Sequence, residues 1–115
     1  MRRCSEGGIM PRYLAKACFT PEGLKALRAA GGAERLQSGH ALAASLGGTL
    51  ECYYFAFGDY DAYAILELPS DEAAAAASIA ANMGGASKVT VTKLLTADQL
   101  DEAFKLTPDY RTPGG

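Results

Sequence analysis

Three glycine pairs, Gly31-Gly32, Gly47-Gly48 and Gly84-Gly85, cut the patterned part of this chain into segments sized for single helices and strands. Glycine adopts the left-handed closing conformation at no steric cost, so each pair reads as a helix break or end. The segments between the cuts carry two different periods. Arg12 to Phe19 alternates, with Tyr13, Ala15, Ala17 and Phe19 on one side and Arg12, Leu14, Lys16 and Cys18 on the other, which predicts a strand. Thr20-Pro21-Glu22 then opens a helix, with Thr20 as its cap and Pro21 at the first helical position. Helical pattern resumes after the first glycine pair from Ala33 to Leu46. Thr49 to Phe57 is an aromatic-rich strand, Gly58-Asp59-Tyr60-Asp61 is turn chemistry, and Ala62 to Leu68 completes a hairpin. Ser70-Asp71-Glu72 caps a helix that runs through the alanine stretch Ala73 to Ala77 and on to Met83. Lys88 to Leu94 is a fourth strand, and Thr96 with Gln99 forms a capping box for a short terminal helix to Leu106.

The order strand–helix–strand–strand–helix–strand predicts an α+β fold of the ferredoxin-like βαββαβ type, with an extra C-terminal helix. Its antiparallel four-stranded sheet has helices on one face, and right-handed crossovers make the first and third strands central. A chain of 115 residues supports one core. Because 22 of the residues are Ala, that core is built from small side chains in close contact. The expected division is a flexible extension over 1–9, a domain over 10–107, and a Pro/Gly-rich tail over 108–115. Met10 is an alternative translation start to Met1 on the same pattern.

Strict alternation assigns the sheet faces. Leu50, Cys52, Tyr54, Ala56, Ala64, Leu66, Leu68, Val89 and Val91 are expected beneath the helices. Leu14, Lys16, Glu51, Tyr53, Phe55, Phe57, Tyr63, Ile65, Glu67, Thr90 and Thr92 are expected on the opposite face. A mixed face this rich in large apolar groups is costly to leave in water, so two copies are expected to pack sheet against sheet. Lys16, Tyr53, Glu67 and Thr92 would then be enclosed, and with Tyr63 they are candidates for a small-molecule pocket. The plainer alternative is that Lys16 and Glu67 pair with each other across neighbouring strands.

Other classes are disfavoured. With 11 basic and 13 acidic side chains the chain offers no concentrated positive charge for nucleic acid or an anionic membrane. No apolar run approaches the length of a membrane span. Cys4, Cys18 and Cys52 are odd in number and lack Cys-x-x-Cys spacing, which fits reduced thiols in a cytoplasmic protein. His40 is the only histidine, and it reads first as a solvated or packed helix residue and only second as a pocket group. No cluster has metal-ligand spacing, and no cysteine has a base beside it in sequence, so neither a metal nor a cofactor is expected. In the Gly58-Asp59-Tyr60-Asp61 turn, the structural reading gives Gly58 a positive φ, a capping carboxylate to Asp59 or Asp61, and packing to Tyr60. The functional reading puts Tyr60 and Asp61 at the mouth of a pocket.

Those turn residues also carry a resemblance. Phe55-Ala56-Phe57-Gly58-Asp59-Tyr60-Asp61 resembles the signature of the GYD domain family, named for a Gly-x-Tyr-Asp motif containing Gly58, Tyr60 and Asp61. Pro11-Arg12-Tyr13, Thr20-Pro21-Glu22-Gly23-Leu24, Leu46-Gly47-Gly48 and Pro108-Asp109-Tyr110-Arg111 extend it from Met10 to about Gly114. The resemblance implies a small bacterial protein of the dimeric α/β-barrel group, assembled as a dimer or a multiple of dimers, and it supplies no catalytic residues. The function expected from all of this is an oligomeric ligand-binding or regulatory module. The alternatives are a cofactor-free oxygenase or isomerase using an enclosed cavity, and a structural subunit that recruits a partner chain.

Overall fold

Side chains at the helix starts satisfy the free N–H groups where the sequence places them. Thr20 Oγ1 accepts from Gly23 N–H at 3.1 Å and opens α1, Pro21–Ala30, with proline in the first turn. Ser70 Oγ accepts from Ala73 N–H at 3.1 Å and opens α3, Asp71–Met83. The capping box of α4, Ala97–Phe104, is complete, with Gln99 N–H donating to Thr96 Oγ1 and Thr96 N–H to Gln99 Oε1. Gly31 separates α1 from α2, Gly32–Ser45. The end of α2 turns through Gly47 at φ +81°, and Gly48 N–H closes back onto the Ala43 carbonyl at 2.9 Å. A side chain would strain the backbone at Gly47.

This computed structural model describes residues 10–114, so the expected extension over 1–9 and Cys4 lie outside the described residues. Four antiparallel strands, β1 (Arg12–Phe19), β2 (Thr49–Phe55), β3 (Ala62–Glu67) and β4 (Ser87–Leu94), form one sheet in the order β2-β3-β1-β4. With the four helices this is an α+β fold whose first and third strands are central. Helix α2 packs on β2, α3 packs on β4, and the core gathers Tyr13, Ala43, Leu50, Ala64, Leu66, Leu68 and Ala74 between them. Among the described residues no helix is long and apolar enough to cross a membrane.

Three expectations need correcting. Strand β2 stops at Phe55, two residues short of the expected end, and the hairpin closes with Ala56 N–H donating to the Asp61 carbonyl at 2.8 Å. That wide connection does not need a left-handed residue, and Gly58 does not have a positive φ.

The larger correction concerns faces. Leu50 pairs with Leu66, but the next partner, Ile65, faces Cys52, so Glu51 is an extra residue in β2. A bulge of this kind reverses the alternation beyond it. Tyr53 now lies opposite Ala64 and Phe55 opposite Ala62, on the helix-covered face. Cys52 and Tyr54 lie opposite Ile65 and Tyr63, on the open face. The expected assignments of these four residues are therefore exchanged.

Gly23 packs where its α1 turn meets the loop before β4. An added Cβ would stand 1.8 Å from the Ala86 carbonyl oxygen, a backbone atom that also accepts from Thr20 N–H. Gly23→Ala must push α1 off that loop, and it is expected to destabilise the fold by about 2 kcal/mol or more in urea unfolding. An unchanged midpoint would contradict this packing.

Candidate functional site

The centre of the helix-covered sheet face is floored by alanine. Ala15 pairs with Ala64 and Ala17 with Ala62 on the two central strands. Because α2 and α3 pack over the edge strands, these methyl groups do not fill the space between them. A mostly apolar cavity of about 110 Å³, open to solvent on one side, remains between sheet and helices, with Leu42, Leu66, Ala81 and Val91 among its walls.

Its polar groups are few. Tyr53, turned inward by the bulge, accepts a 3.3 Å hydrogen bond at its hydroxyl from Arg35 Nε of α2. The Arg35 guanidinium carbon also lies 5.5 Å from the centre of the Phe19 ring, within cation–π range. Arg35 and Ser38 line both this cavity and an adjoining one of about 170 Å³ beside α1, so they stand on the wall the two share.

The turn after β2 reaches this wall indirectly. Asp61 Oδ2 accepts from Phe19 N–H at 2.8 Å, while Asp61 N–H donates to the Ala17 carbonyl. Asp61 thereby ties the hairpin to the end of β1 and fixes the residue whose ring lies beside Arg35. Tyr60 packs edge-on against Tyr63 at 5.9 Å, with Lys16 Nζ 4.7 Å from the Tyr60 ring centre. Asp61 therefore bonds to β1 rather than capping its own turn.

The six residues expected to share a pocket are dispersed. Tyr53 belongs to the helix-side cavity, and Tyr63 borders it while remaining 37% exposed. Lys16 is opposite Tyr63 and stands over Tyr60. Glu67 is opposite Arg12, four residues from Lys16 along β1, so the expected Lys16–Glu67 pair is replaced by Arg12–Glu67 at 3.6 Å. Thr92 is exposed opposite Leu14, and His40 is exposed on α2.

Alternation and motif spacing both missed Arg35 and Ser38, because an isolated arginine in an amphipathic helix reads as a solvated residue. They also missed a buried charge cluster. Arg12 Nε lies 2.6 Å from Glu51 Oε1, Thr49 donates to Glu67 Oε1 at 3.2 Å, and the Glu51 side chain is only 1% exposed. Its second oxygen, Oε2, is buried with no hydrogen-bond partner among the described residues. Among the described residues no group of three or more His, Cys, Asp or Glu side chains could hold a metal ion.

Tyr13, at the other end of the cavity, donates to Asp71 Oδ1 at 2.6 Å, and Lys93 Nζ approaches the same oxygen at 3.1 Å. Burial first, and the Asp71 hydrogen bond second, push the Tyr13 phenol from 10.0 up to about 12. The bond from Tyr13, then that from Lys93, lowers the Asp71 carboxyl. A phenol whose folded pKa is raised stabilises the fold fully below pH 10, and that contribution fades as pH climbs toward 12. The lowered Asp71 contributes above the ordinary carboxylate range, and its contribution fades on acidification. In an ultraviolet titration, one of the six phenols should ionise near pH 12, and Tyr13→Phe should remove that late step. A late step that survives the substitution would contradict the assignment.

Comparison with known proteins agrees with the chain's own motifs. The family model described as GYD domain matches residues 13–104, most of the chain, which therefore belongs to the GYD domain family. No curated protein and no solved structure matches the chain.

Proposed function

We propose that this member of the GYD domain family is an oligomeric small-molecule-binding module, with its ligand between the sheet and helices α2 and α3. The observation that carries the reading is the alanine-floored cavity with one polar wall, formed by Arg35, Ser38 and Tyr53. Pockets for small molecules have this character, an apolar body with a few placed polar groups. A cavity of roughly 150 Å³ holds benzene, so about 110 Å³ suits an apolar body smaller than that ring.

The assembly in this reading is ferredoxin-like units of the dimeric α/β-barrel type, packed through their open sheet faces in the cytoplasm. Its support is the aromatic pair on that face, Tyr54 at 63% exposure opposite Tyr63. Large exposed aromatic groups favour burial against a second apolar surface.

Native mass spectrometry of untagged protein, gently purified from its own lysate, tests both parts. The expected spectrum shows a dimer or a multiple of dimers carrying added small mass. Ala81→Leu, on the cavity wall, should lose the mass and keep the subunit count. A monomer would overturn the assembly. Mass that is absent from the wild type, or retained equally by the variant, would overturn the cavity as the ligand site.

A further inference from the structure

We infer that the ligand class is a small apolar monocarboxylate, whose hydrocarbon body lies over the alanine floor and whose carboxylate meets Arg35. This rests on the cavity reading above and adds the charge and size of the ligand.

Arg35 keeps donors that no described residue uses. A guanidinium carries five N–H donors in a planar fork suited to a carboxylate. In this protein Nε is engaged by the Tyr53 hydroxyl, and the Nη groups make no hydrogen bond to any described residue. Among the described residues no carboxylate lies within 4.0 Å of Arg35. Glu34 lines the outer cavity, but it is exposed and makes no ion pair with Arg35. The positive charge on the shared wall is therefore uncompensated by a described side chain, in a site whose other walls are nearly all apolar.

The same side chain is held in place. The Phe19 ring faces its guanidinium and the Tyr53 hydroxyl fixes Nε, so two contacts set the direction of the fork before any ligand arrives. A pre-oriented arginine loses little freedom on binding, which favours a bidentate carboxylate over a single neutral acceptor. The backbone of Phe19 is held in turn by Asp61. The family's turn residue thereby supports the anion-binding group from outside the pocket.

Size narrows the class. About 110 Å³ over the alanine floor is less than the roughly 150 Å³ that holds a benzene ring, so the body is a short alkyl chain. The body lies over Ala15 and Ala64, and the head reaches the Arg35 wall.

The probes are hexanoate and its uncharged counterpart hexanamide, with binding to the full-length protein read by isothermal titration calorimetry. Hexanoate should bind wild type about 10- to 100-fold more tightly than hexanamide. Arg35→Gln should bring the two to similar affinity while retaining weak binding of both. Ala81→Leu, which fills the cavity from a half-buried wall position, should weaken both together. Circular dichroism melting of each variant separates lost binding from lost folding. Equal affinity of the two probes for wild type, or a preference that survives Arg35→Gln, would overturn the carboxylate assignment and leave the cavity reading standing. If neither probe binds the wild type at millimolar concentration, the carboxylate assignment falls here too. The cavity reading is then decided separately, by the retained mass in the native spectrum.

Discussion

One inserted residue in β2 governs which groups meet inside this protein. Up to Leu50 the strand follows its hairpin partner, with Leu50 against Leu66 in the core. At Glu51 the pairing slips by one, and the carboxylate goes to Arg12 while Tyr53 and Phe55 turn beneath the helices. Without the slip, Tyr53 would lie on the open face and Arg35 would have no hydroxyl to engage. The buried Arg12–Glu51 contact adds little to stability in net terms, because taking both charges out of water offsets most of their attraction. Its value lies in register: a one-residue shift in β2 would strand Glu51 away from Arg12, and a buried unpaired charge is far more costly than a misplaced methyl group.

From that slip the site follows through packing. Protein interiors pack as densely as organic crystals, and voids are few. Here the central floor is alanine on both middle strands, the helices lie over the edges, and a cavity remains where larger side chains would have met. The polar wall and its support come from three separate parts of the chain. Arg35 and Ser38 come from α2 and Tyr53 from beyond the bulge, while Phe19 at the end of β1, whose amide is held by Asp61, backs the Arg35 guanidinium. The family motif thus acts as a strut: Asp61 joins the hairpin to β1, and its effect on the site passes through Phe19.

Local features were legible in the sequence because they depend on neighbours a few residues away. The Thr20, Ser70 and Thr96 caps, the break at Gly31 and the closure at Gly47 all follow from such spacings. The order of elements, and the central place of β1 and β3, followed from these together with the handedness of crossovers. The faces of β2 were not legible. Strict alternation is the rule a reader must apply, and the reason to break it at Glu51 lies in Arg12, 39 residues earlier. The same limit hid the site. Alternation placed Tyr53 with Lys16 and Glu67, whereas cross-strand register separates all three. Arg35 gave no signal at all, since its setting comes from two residues distant in sequence. The small residues Ala15, Ala17, Ala62 and Ala64 were visible, and they read as close packing because sequence does not show where the helices lie.

In the proposed reading the ligand lies on the helix-covered side of the sheet. Methyl-resolved nuclear magnetic resonance of alanine-labelled protein, titrated with hexanoate, observes this directly. Ala15, Ala17, Ala62 and Ala64 should shift together and saturate at one affinity. Amide signals of Cys52, Tyr54 and Thr92, followed in the same titration, should move little. Saturable shifts confined to those open-face residues, with the alanine methyls unmoved, would contradict a ligand site beneath the helices.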